Sequence, residues 1–383
     1  MKRTSSYVPL CRNLFVAALG LGSELIAHAQ ANVTLWGIVD VNAQYLRADG
    51  GSRRTLLGSS GLSSSQYGFR ALEDLGGGMT AFAWLEGGIN PDAGTGRASN
   101  ANNQTSGATA AGILTFDRRS YVGLGGPWGQ VRLGRDFSPH HYNNVSFDPF
   151  GGLGVGRAGN LAFTAVDSGV MPTTVGFSNG ISYWLPAGLG GLYGMAVYAV
   201  GENASTAPNP DDGTLKGGRI GWASGPINVA VGASRTTYAS TASTGSYRHA
   251  NVGASYSTQL ITFFGLFNQV TVDLTGGTIR KNTSTVGAHV SIVPAGVLRL
   301  SYSRLADHSS ASLLNADGSA RSSNAASQWA LGYVHNLSKR TALYGTYSRL
   351  SNRGKAAYTV SGAPTPIASR GARGIEAGVR HQF

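Results

Sequence analysis

A polar–apolar alternation recurs along this chain in segments of about ten residues and limits the folds that the chain can adopt. In residues 33–47, Leu35 and Val41 fall on one face. Asp40 and Asn42 fall on the other, because successive side chains of a strand point to opposite faces of a sheet. After residue 30 there is no run of about 20 apolar residues, the length that a helix needs to cross a bilayer. The alternation therefore predicts a sheet with one apolar and one polar face.

Sixteen segments fit this pattern, with turn residues between them. An even number is typical of bacterial single-chain barrels that cross a membrane with antiparallel strands. Glycine, at 56 of 383 residues, also disfavours a helical bundle, since each glycine inside a helix costs about 1 kcal/mol relative to alanine. We predict strands at 33–47, 62–73, 79–90, 115–124, 129–137, 174–185, 190–201, 216–224, 226–237, 247–257, 260–271, 280–293, 296–306, 325–336, 340–351 and 371–383.

The connections between these segments alternate between short and long down the chain. A membrane barrel produces this rhythm because one rim carries tight turns and the other carries external loops. A closed sheet of sixteen strands is too wide for its side chains to fill, so we predict a lumen that holds water. The longer connections are 48–61, 91–114, 138–173, 202–215, 238–246, 272–279, 307–324 and 352–370.

The amino terminus has the pattern of a cleaved export signal. Basic residues precede a short apolar segment at 14–22, and Ala27-His28-Ala29 fits the small-x-small cleavage pattern. Glu24 interrupts the apolar segment well before the roughly 20 residues of a membrane anchor. We therefore predict a signal peptide at 1–29, cleaved after Ala29 or Ala31, and a barrel at 30–383.

Charge and cysteine usage restrict the possible functions. The formal net charge is +12, and the predicted signal contributes +2 of it, so the rest of the chain carries +10. The arginines are scattered singly, which suits a polar lumen or lipid headgroups better than a nucleic-acid-binding face. The only cysteine, Cys11, lies in the predicted signal, so the mature chain has neither a disulfide nor a thiol nucleophile.

Several motifs resemble the general porins of Gram-negative bacteria, especially the trimeric type common in betaproteobacteria. The resemblance runs in order through the predicted mature chain, and the LSKRT turn at 337–341 together with the terminal Phe383 is fairly specific. The other matching stretches are 33–40 (VTLWGIVD), 67–70 (YGFR), 73–78 (EDLGGG), 118–124 (RRSYVGL), 129–135 (GQVRLGR) and 331–333 (LGY).

The resemblance implies an all-β, sixteen-stranded antiparallel transmembrane barrel that assembles as a homotrimer. It also implies that the long third loop, about 138–173 here, folds into each lumen as a constriction. The last strand, at 371–383, ends in an aromatic residue suited to the membrane boundary. By the same resemblance, Phe383 belongs to the signal that the barrel-assembly machinery recognises.

In such porins, basic side chains on the barrel wall face acidic groups on the third loop. Arg119 matches one of these wall arginines, whereas Ile38, Gln66 and a residue near Gly176 stand where relatives often carry Lys or Arg. The period-two pattern also turns Arg70 and Arg132 inward. The candidate carboxylates of the loop are Asp148, in a DPFGG sequence that resembles the turn at the loop's tip, and Asp167.

No catalytic, cofactor or metal site is predicted. His140 and His141 are adjacent and have no third His or Cys ligand nearby in the sequence. The glycine-rich residues 151–156 lack the spacing and the terminal Lys-Ser/Thr of a phosphate-binding loop.

We therefore expect a non-enzymatic outer-membrane porin for passive diffusion of small hydrophilic solutes and ions, with weak anion preference. The alternatives left open are an outer-membrane lipase or protease barrel and a surface adhesin. The expected partners are outer-membrane lipid, lipopolysaccharide, further copies of the chain, the barrel-assembly machinery and the permeating solutes. No nucleic-acid partner is expected.

Overall fold

The structure, a computed structural model, describes residues 32–109, 114–166 and 169–383. The predicted signal peptide at 1–29, its cleavage positions Ala29 and Ala31, and the candidate carboxylate Asp167 lie outside the described residues. Within the described parts no helix is long and apolar enough to span a membrane.

Nearly all of the regular structure is β-strand. The strands are β1 (Asn32–Ala48), β2 (Arg53–Ser59), β3 (Gln66–Gly76), β4 (Met79–Asn90), β5 (Thr95–Gly96), β6 (Arg119–Gly126), β7 (Gly129–Phe137), β8 (Gly176–Trp184), β9 (Leu192–Ala199), β10 (Leu215–Ser224), β11 (Ile227–Thr236), β12 (Ser246–Ser257), β13 (Ile261–Leu274), β14 (Gly277–Val293), β15 (Gly296–Asp307), β16 (Ala325–Asn336), β17 (Thr341–Arg353) and β18 (Ala372–Gln382). The helices are α1 (Pro139–Phe147), α2 (Gly159–Ala162) and two single 3₁₀ turns, Thr105–Gly107 and Arg321–Ser323.

Seventeen of these eighteen segments make a closed wall of sixteen antiparallel strands. β2 and β3 pair with successive parts of β1, so they form one wall strand that is interrupted at 60–65. β5 is a two-residue segment in a separate small ladder with β4. The last strand, β18, pairs with β1 and closes the sheet, with Val41 opposite Val379. The predicted sixteen-stranded barrel is confirmed.

The two faces of the wall differ as the alternation predicts. Val33 and Leu35 point outward and are 66 % and 60 % exposed, whereas Asp40 and Asn42 point inward and are buried. A closed sheet pairs its backbone groups between strands and leaves no free edge, which is what a strand structure needs in hydrocarbon. The outer face therefore suits lipid, and the inner face suits water and other polar groups.

Two of the predicted long loops are wrong. The segment 272–279 is a two-residue turn, because β13 and β14 pair as far as Leu274 and Gly277. Most of 48–61 is also strand, since β2 pairs with the upper part of β1. β14 has 17 residues, whereas a strand needs only about 9–11 to cross the hydrocarbon. Beyond the membrane the outward side chains, such as Asp273 and Arg280, are polar, so these strand ends resemble loops in the sequence.

The connection between β7 and β8, residues 138–175, folds back into the barrel and carries α1 and α2. We call it loop 3. It creates the main buried cores of the molecule, because its apolar side chains pack against inward-facing wall residues. Val155 and Leu161 join Leu46, Leu305 and Leu350 in one cluster, and Ala165 and Met171 join Tyr247, Val272 and Ile279 in another.

Candidate functional site at the constriction

Loop 3 lies against one side of the barrel, and the wall residues that it contacts most closely are glycines. A Cβ atom at Gly253 would overlap the ring of Phe147, and one at Gly287 would overlap Pro149. Glycine therefore allows the close approach of the loop to the wall. We call these wall positions the glycine track: Gly232 beneath Asn143, Gly253 beneath Phe147, Gly287 beneath Pro149, Gly332 beneath Phe150 and Gly374 beneath Val155.

Buried hydrogen bonds attach α1 to the wall. The two ring nitrogens of His140 lie 2.8 Å from Ser234 Oγ and 2.8 Å from the carbonyl oxygen of Thr174. The His140 ring also stacks on His249, with 4.1 Å between the ring centroids. Burial lowers the pKa of His140 well below its usual value and lowers the pKa of His141 to about 3. Both rings are therefore neutral near pH 7.

His140 and His141 serve packing in this arrangement. Among the residues that the structure describes, no group of three or more His, Cys, Asp or Glu side chains is placed to hold a metal ion. Asn251 Nδ2 donates to the carbonyl oxygen of His140 over 2.8 Å, and Asn143 Nδ2 donates to Asn251 Oδ1 over 3.0 Å. This network fixes the first part of loop 3 on the wall.

Asp148 lies directly after α1 and points into loop 3 itself. Its carboxylate accepts backbone hydrogen bonds from Phe150 (2.9 Å), Gly152 (3.0 Å) and Ala158 (2.8 Å). Burial raises the pKa of Asp148, while these hydrogen bonds and the Arg299 charge act in the opposite direction. The residue is only 4 % exposed. Its position indicates that the carboxylate shapes the tip of the loop and does not face open solvent.

The wall that loop 3 leaves uncovered carries a buried carboxylate between two arginines. Glu86, inward on β4, lies 2.5 Å from Arg118 Nε through Oε1 and 2.5 Å from Arg119 Nη2 through Oε2. Trp84 Nε1 donates to the same carboxylate over 2.9 Å. The Arg119 guanidinium lies 4.3 Å from the centroid of the Trp84 ring. These ion pairs and the cation–π contact therefore fix both arginines.

Arg132 occupies a second such position on the neighbouring strand, β7. Its Nη1 atom lies 3.2 Å from Asp136 Oδ2, and its guanidinium lies 4.1 Å from the Trp184 ring and 4.9 Å from the Tyr121 ring. Tyr142 of loop 3 donates a 2.6 Å hydrogen bond to Asp136 Oδ1. The same carboxylate thus links the wall arginine to the base of loop 3.

Arg219 on β10 continues the line of cations towards loop 3. Its Nε donates to Asn143 Oδ1 over 2.9 Å, and its guanidinium lies 4.9 Å from the Tyr193 ring and 5.5 Å from the Tyr142 ring. It has no carboxylate partner among the described residues. Aromatic faces and an amide oxygen hold it, so its charge is not neutralised.

Arg70 faces the lumen from β3, where it stands between Thr34 and Trp84 in the register of the sheet. Its side chain is exposed, and it has no hydrogen bond or ion pair within the described parts of the chain. We refer to these inward side chains as the arginine band: Arg70, Arg118, Arg119, Arg132 and Arg219.

A closed sixteen-stranded barrel with an infolded third loop and a cationic wall narrows the choice of family, and comparison with known proteins decides it. Residues 16–355 match the family profile described as Gram-negative porin. The chain belongs to the Gram-negative porin family.

Relatives of this porin support the assignment over nearly the whole chain. Outer membrane porin protein 32 of Delftia acidovorans is 34 % identical over 375 residues, covering 96 % of this chain and 99 % of the relative. An outer membrane porin protein of Bordetella pertussis is 25 % identical over 382 residues, covering 88 % of this chain and 94 % of the relative. The solved structure of an anion-selective porin from Comamonas acidovorans is 33 % identical, with a TM-score of 0.78, covering 92 % of this chain and 100 % of that one.

More distant structures agree in fold alone. The structure of OmpT of Vibrio cholerae is 13 % identical to this chain, with a TM-score of 0.61, and the match covers 94 % of this chain and 100 % of OmpT. The porin is thus a multi-pass β-barrel of the Gram-negative outer membrane, and it forms a channel for passive diffusion. It belongs to a family of channels and not of enzymes.

The structure brings only some of the predicted site residues together. Arg119 and Arg132 lie on neighbouring strands of one wall, and Arg70 shares their inward face. Asp148 is on loop 3 but is turned into the loop, and Asp167 lies outside the described residues. Whether these side chains set the selectivity of the pore stays a prediction.

Sequence reasoning missed Glu86, Arg118 and Arg219. The period-two alternation predicts that Glu86 in 79–90 and Arg219 in 216–224 point inward, so the sequence contained the information needed to find these two residues. The ion pair of Glu86 with Arg118 and Arg119 joins β4 to the residues at and just before the start of β6. No sequence pattern indicates that pairing, since Glu86 and Arg119 are far apart along the chain.

Proposed function

We propose that the arginine band gives the porin a weak preference for anions. The observation that carries this proposal is the charge balance of the uncovered wall. The five arginines of the band form ion pairs with only two carboxylates among the described residues, Glu86 and Asp136, and both carboxylates are buried. In the described part of loop 3, Asp148 is the one carboxylate, and it is buried as well. Fixed charge at the narrowest point is what sets ion selectivity in a wide pore.

The wall chemistry also explains why the preference is weak. Glu86 offsets part of the charge of Arg118 and Arg119, while Arg70 and Arg219 have no such partner in the described structure. The water in the lumen screens each charge over about 8 Å at physiological ionic strength. Hydrated anions are therefore attracted to this wall without a site that would hold them.

A solved relative is consistent with this sign of selectivity, because the Comamonas acidovorans porin is described as anion-selective. Arg119, Arg132 and Arg70 are the residues that we assign to the constriction. We assign Asp148 to the shape of loop 3, and Asp167 stays a candidate acidic group of the same loop.

The proposal includes the assembly of the porin. We infer a homotrimer in contact with outer-membrane lipid and lipopolysaccharide, made from a precursor whose signal at 1–29 is cleaved after Ala29 or Ala31. Phe383 pairs with Gly37 through two backbone hydrogen bonds of 3.0 and 3.1 Å, and its side chain is 55 % exposed. An exposed aromatic at the end of the closing strand is accessible to the barrel-assembly machinery.

Single-channel recording in a planar bilayer under a KCl gradient tests the proposed selectivity. We expect open channels whose reversal potential has the sign of anion preference. Replacement of Arg70, Arg119 and Arg132 by glutamine should move that potential towards zero. A wild-type reversal potential that favours cations would refute the proposed role of the arginine band, while absent currents would count against channel formation itself.

A further inference from the structure

The outer face of the external rim carries four basic side chains at one level of the sheet, on four of the five neighbouring strands β10–β14. Lys216 pairs with Arg235, and Arg235 pairs with Arg248. Thr271 follows on β13, and it pairs with Arg248 on one side and with Arg280 on the other. We call Lys216, Arg235, Arg248 and Arg280 the basic row. All four are exposed.

The basic row is poorly neutralised by the protein. Asp273 is its one carboxylate partner in the described structure, through Arg248 Nη2 at 2.7 and 2.8 Å. Lys216 lies over the Tyr198 ring at 5.5 Å, and the side chains of Arg235 and Arg280 have no ion pair among the described residues. Like charges directly opposite one another destabilise a sheet. An anion lying between these side chains would remove that repulsion.

Directly below the row, towards the membrane, the outer face carries very small residues. Gly218, Ala233 and Ala250 are paired side by side on β10, β11 and β12. They form the floor of a depression of about 580 Å³ that the basic row borders. That volume lies within the roughly 300–1,000 Å³ typical of small-molecule sites.

The depression continues down the outer wall. A second hollow of about 460 Å³ shares Gly218, Ala233 and Ala250 with the first and is lined further down by Ile220 and Val231. The two together form a groove on the outer surface that is cationic at its upper end and apolar below. We call it the rim groove.

The height of the rim groove matches the outer boundary of the membrane. β12 extends about 26 Å from Arg248 to Tyr256. At the usual strand tilt this length corresponds to about 20 Å along the membrane normal. Tyr256 and Trp222 are exposed aromatics next to the short turns. The apolar band of such barrels is about 25 Å tall. The basic row therefore lies where the headgroups of the outer leaflet begin.

We propose that the rim groove binds a phosphorylated lipid of the outer leaflet. Its phosphate lies among Arg235, Arg248 and Arg280, and one acyl chain lies over Gly218, Ala233 and Ala250. Guanidinium groups suit this role because their paired N–H donors match phosphate oxygens. A free phosphate ion would contact only the cationic end of the groove and would not account for its apolar part. The inference rests on the proposed contact with lipopolysaccharide and names its site.

Native mass spectrometry of the purified mature porin in detergent tests the proposal, with bisphosphorylated lipid A, dephosphorylated lipid A and sodium phosphate as probes. We expect bisphosphorylated lipid A to bind, also in the presence of a chelator, because side chains and not divalent cations neutralise its phosphates. The variant R235Q/R248Q/R280Q should bind it about 100-fold more weakly. Gly218→Leu, which fills the groove without changing its charge, should also weaken lipid binding.

The matched control is R304Q/R353Q/R370Q, which removes the same charge from the external side outside the basic row. Arg304, for example, pairs with Ser284 and Ser327. The control should keep the wild-type affinity. An equal loss in the control, equal binding of dephosphorylated lipid A, or sodium phosphate that displaces the lipid at micromolar concentration would each overturn the proposal. Channel currents of all variants should match those of the wild type, and absent wild-type currents would speak against the porin function and not against the groove.

Discussion

The carboxylate of Glu86 is buried beneath the guanidinium of Arg119, with Arg119 Nη2 2.5 Å from Glu86 Oε2. The other oxygen of Glu86 accepts a hydrogen bond from Arg118 Nε. One carboxylate therefore orients two cations of the pore wall and offsets part of their charge. We therefore expect Glu86 to affect both the stability and the selectivity of the porin.

Glu86→Gln should make the porin more anion-selective and less stable. The substitution leaves two guanidinium groups without their counter-charge, so the reversal potential in a KCl gradient should shift further towards the anion. Removal of one partner of a buried pair should lower the free energy of unfolding by about 3 kcal/mol. Asp317→Asn is the control, because Asp317 pairs with Lys355 in an exposed external loop. Equal reversal potentials for Glu86→Gln and the wild type would contradict this account.

Arg70→Gln and Arg132→Gln should each weaken the anion preference, and the double variant should lower the permeability ratio of chloride to potassium by about half. Arg70 has no partner in the described structure, so its loss should leave the unfolding transition unchanged. Arg132 pairs with Asp136, so its loss should also destabilise the base of loop 3. Arg304→Gln, on the outer face, should leave the permeability ratio at its wild-type value.

Acidification should loosen loop 3. Burial lowers the pKa of His141 from 6.5 to about 3, and it lowers the pKa of His140 as well. A histidine whose pKa is lowered in the folded state makes its full contribution to stability at pH values above its pKa in the unfolded chain. For His141 this contribution to stability is lost as the pH falls from 6.5 towards 3. We expect current fluctuations to increase below about pH 5. His141→Phe should shift that onset to lower pH, and a wild-type channel equally quiet at about pH 4 and about pH 7 would argue against this role.

Asp148→Ala should destabilise the tip of loop 3. It leaves the N–H groups of Phe150, Gly152 and Ala158 without their acceptor, at a cost of about 1–3 kcal/mol for each group that stays buried and unpaired. The expected result is a noisier channel with a lower unfolding midpoint. Asp148→Asn retains one acceptor oxygen and should be milder. If Asp148→Asn instead changed the reversal potential without changing stability, Asp148 would be a charge of the pore.

Gly253→Ala tests the glycine track. The added methyl group would overlap Phe147, so loop 3 must shift or the wall must deform, at a cost of about 1–3 kcal/mol. We expect a changed single-channel conductance together with a lower thermal midpoint. Gly265→Ala is the matched control on the next strand, because no atom lies within 4 Å of the new methyl group there. Identical behaviour of the two variants would show that the loop does not depend on the track.

The barrel could be predicted from local patterns in the sequence. Side-chain direction in a strand depends only on position along the chain, so alternation and the count of segments identified sixteen wall strands and the inward direction of Arg70 and Arg132. The glycine content disfavoured a helical fold, but it did not indicate that five of the glycines form the glycine track that contacts loop 3.

The roles of the charged side chains depend on contacts between segments that are distant in the sequence. Glu86 meets Arg119 because β4 and β6 are neighbours in the wall, and Asp148 turns into its own loop because three backbone N–H groups converge there. The strand ends at 272–279 were also set by tertiary contacts, since β13 and β14 pair as far as Leu274 and Gly277 and the inward Val272 and Ile279 pack against loop 3. Contacts between distant segments depend on register and closure, and a local pattern carries no information about either.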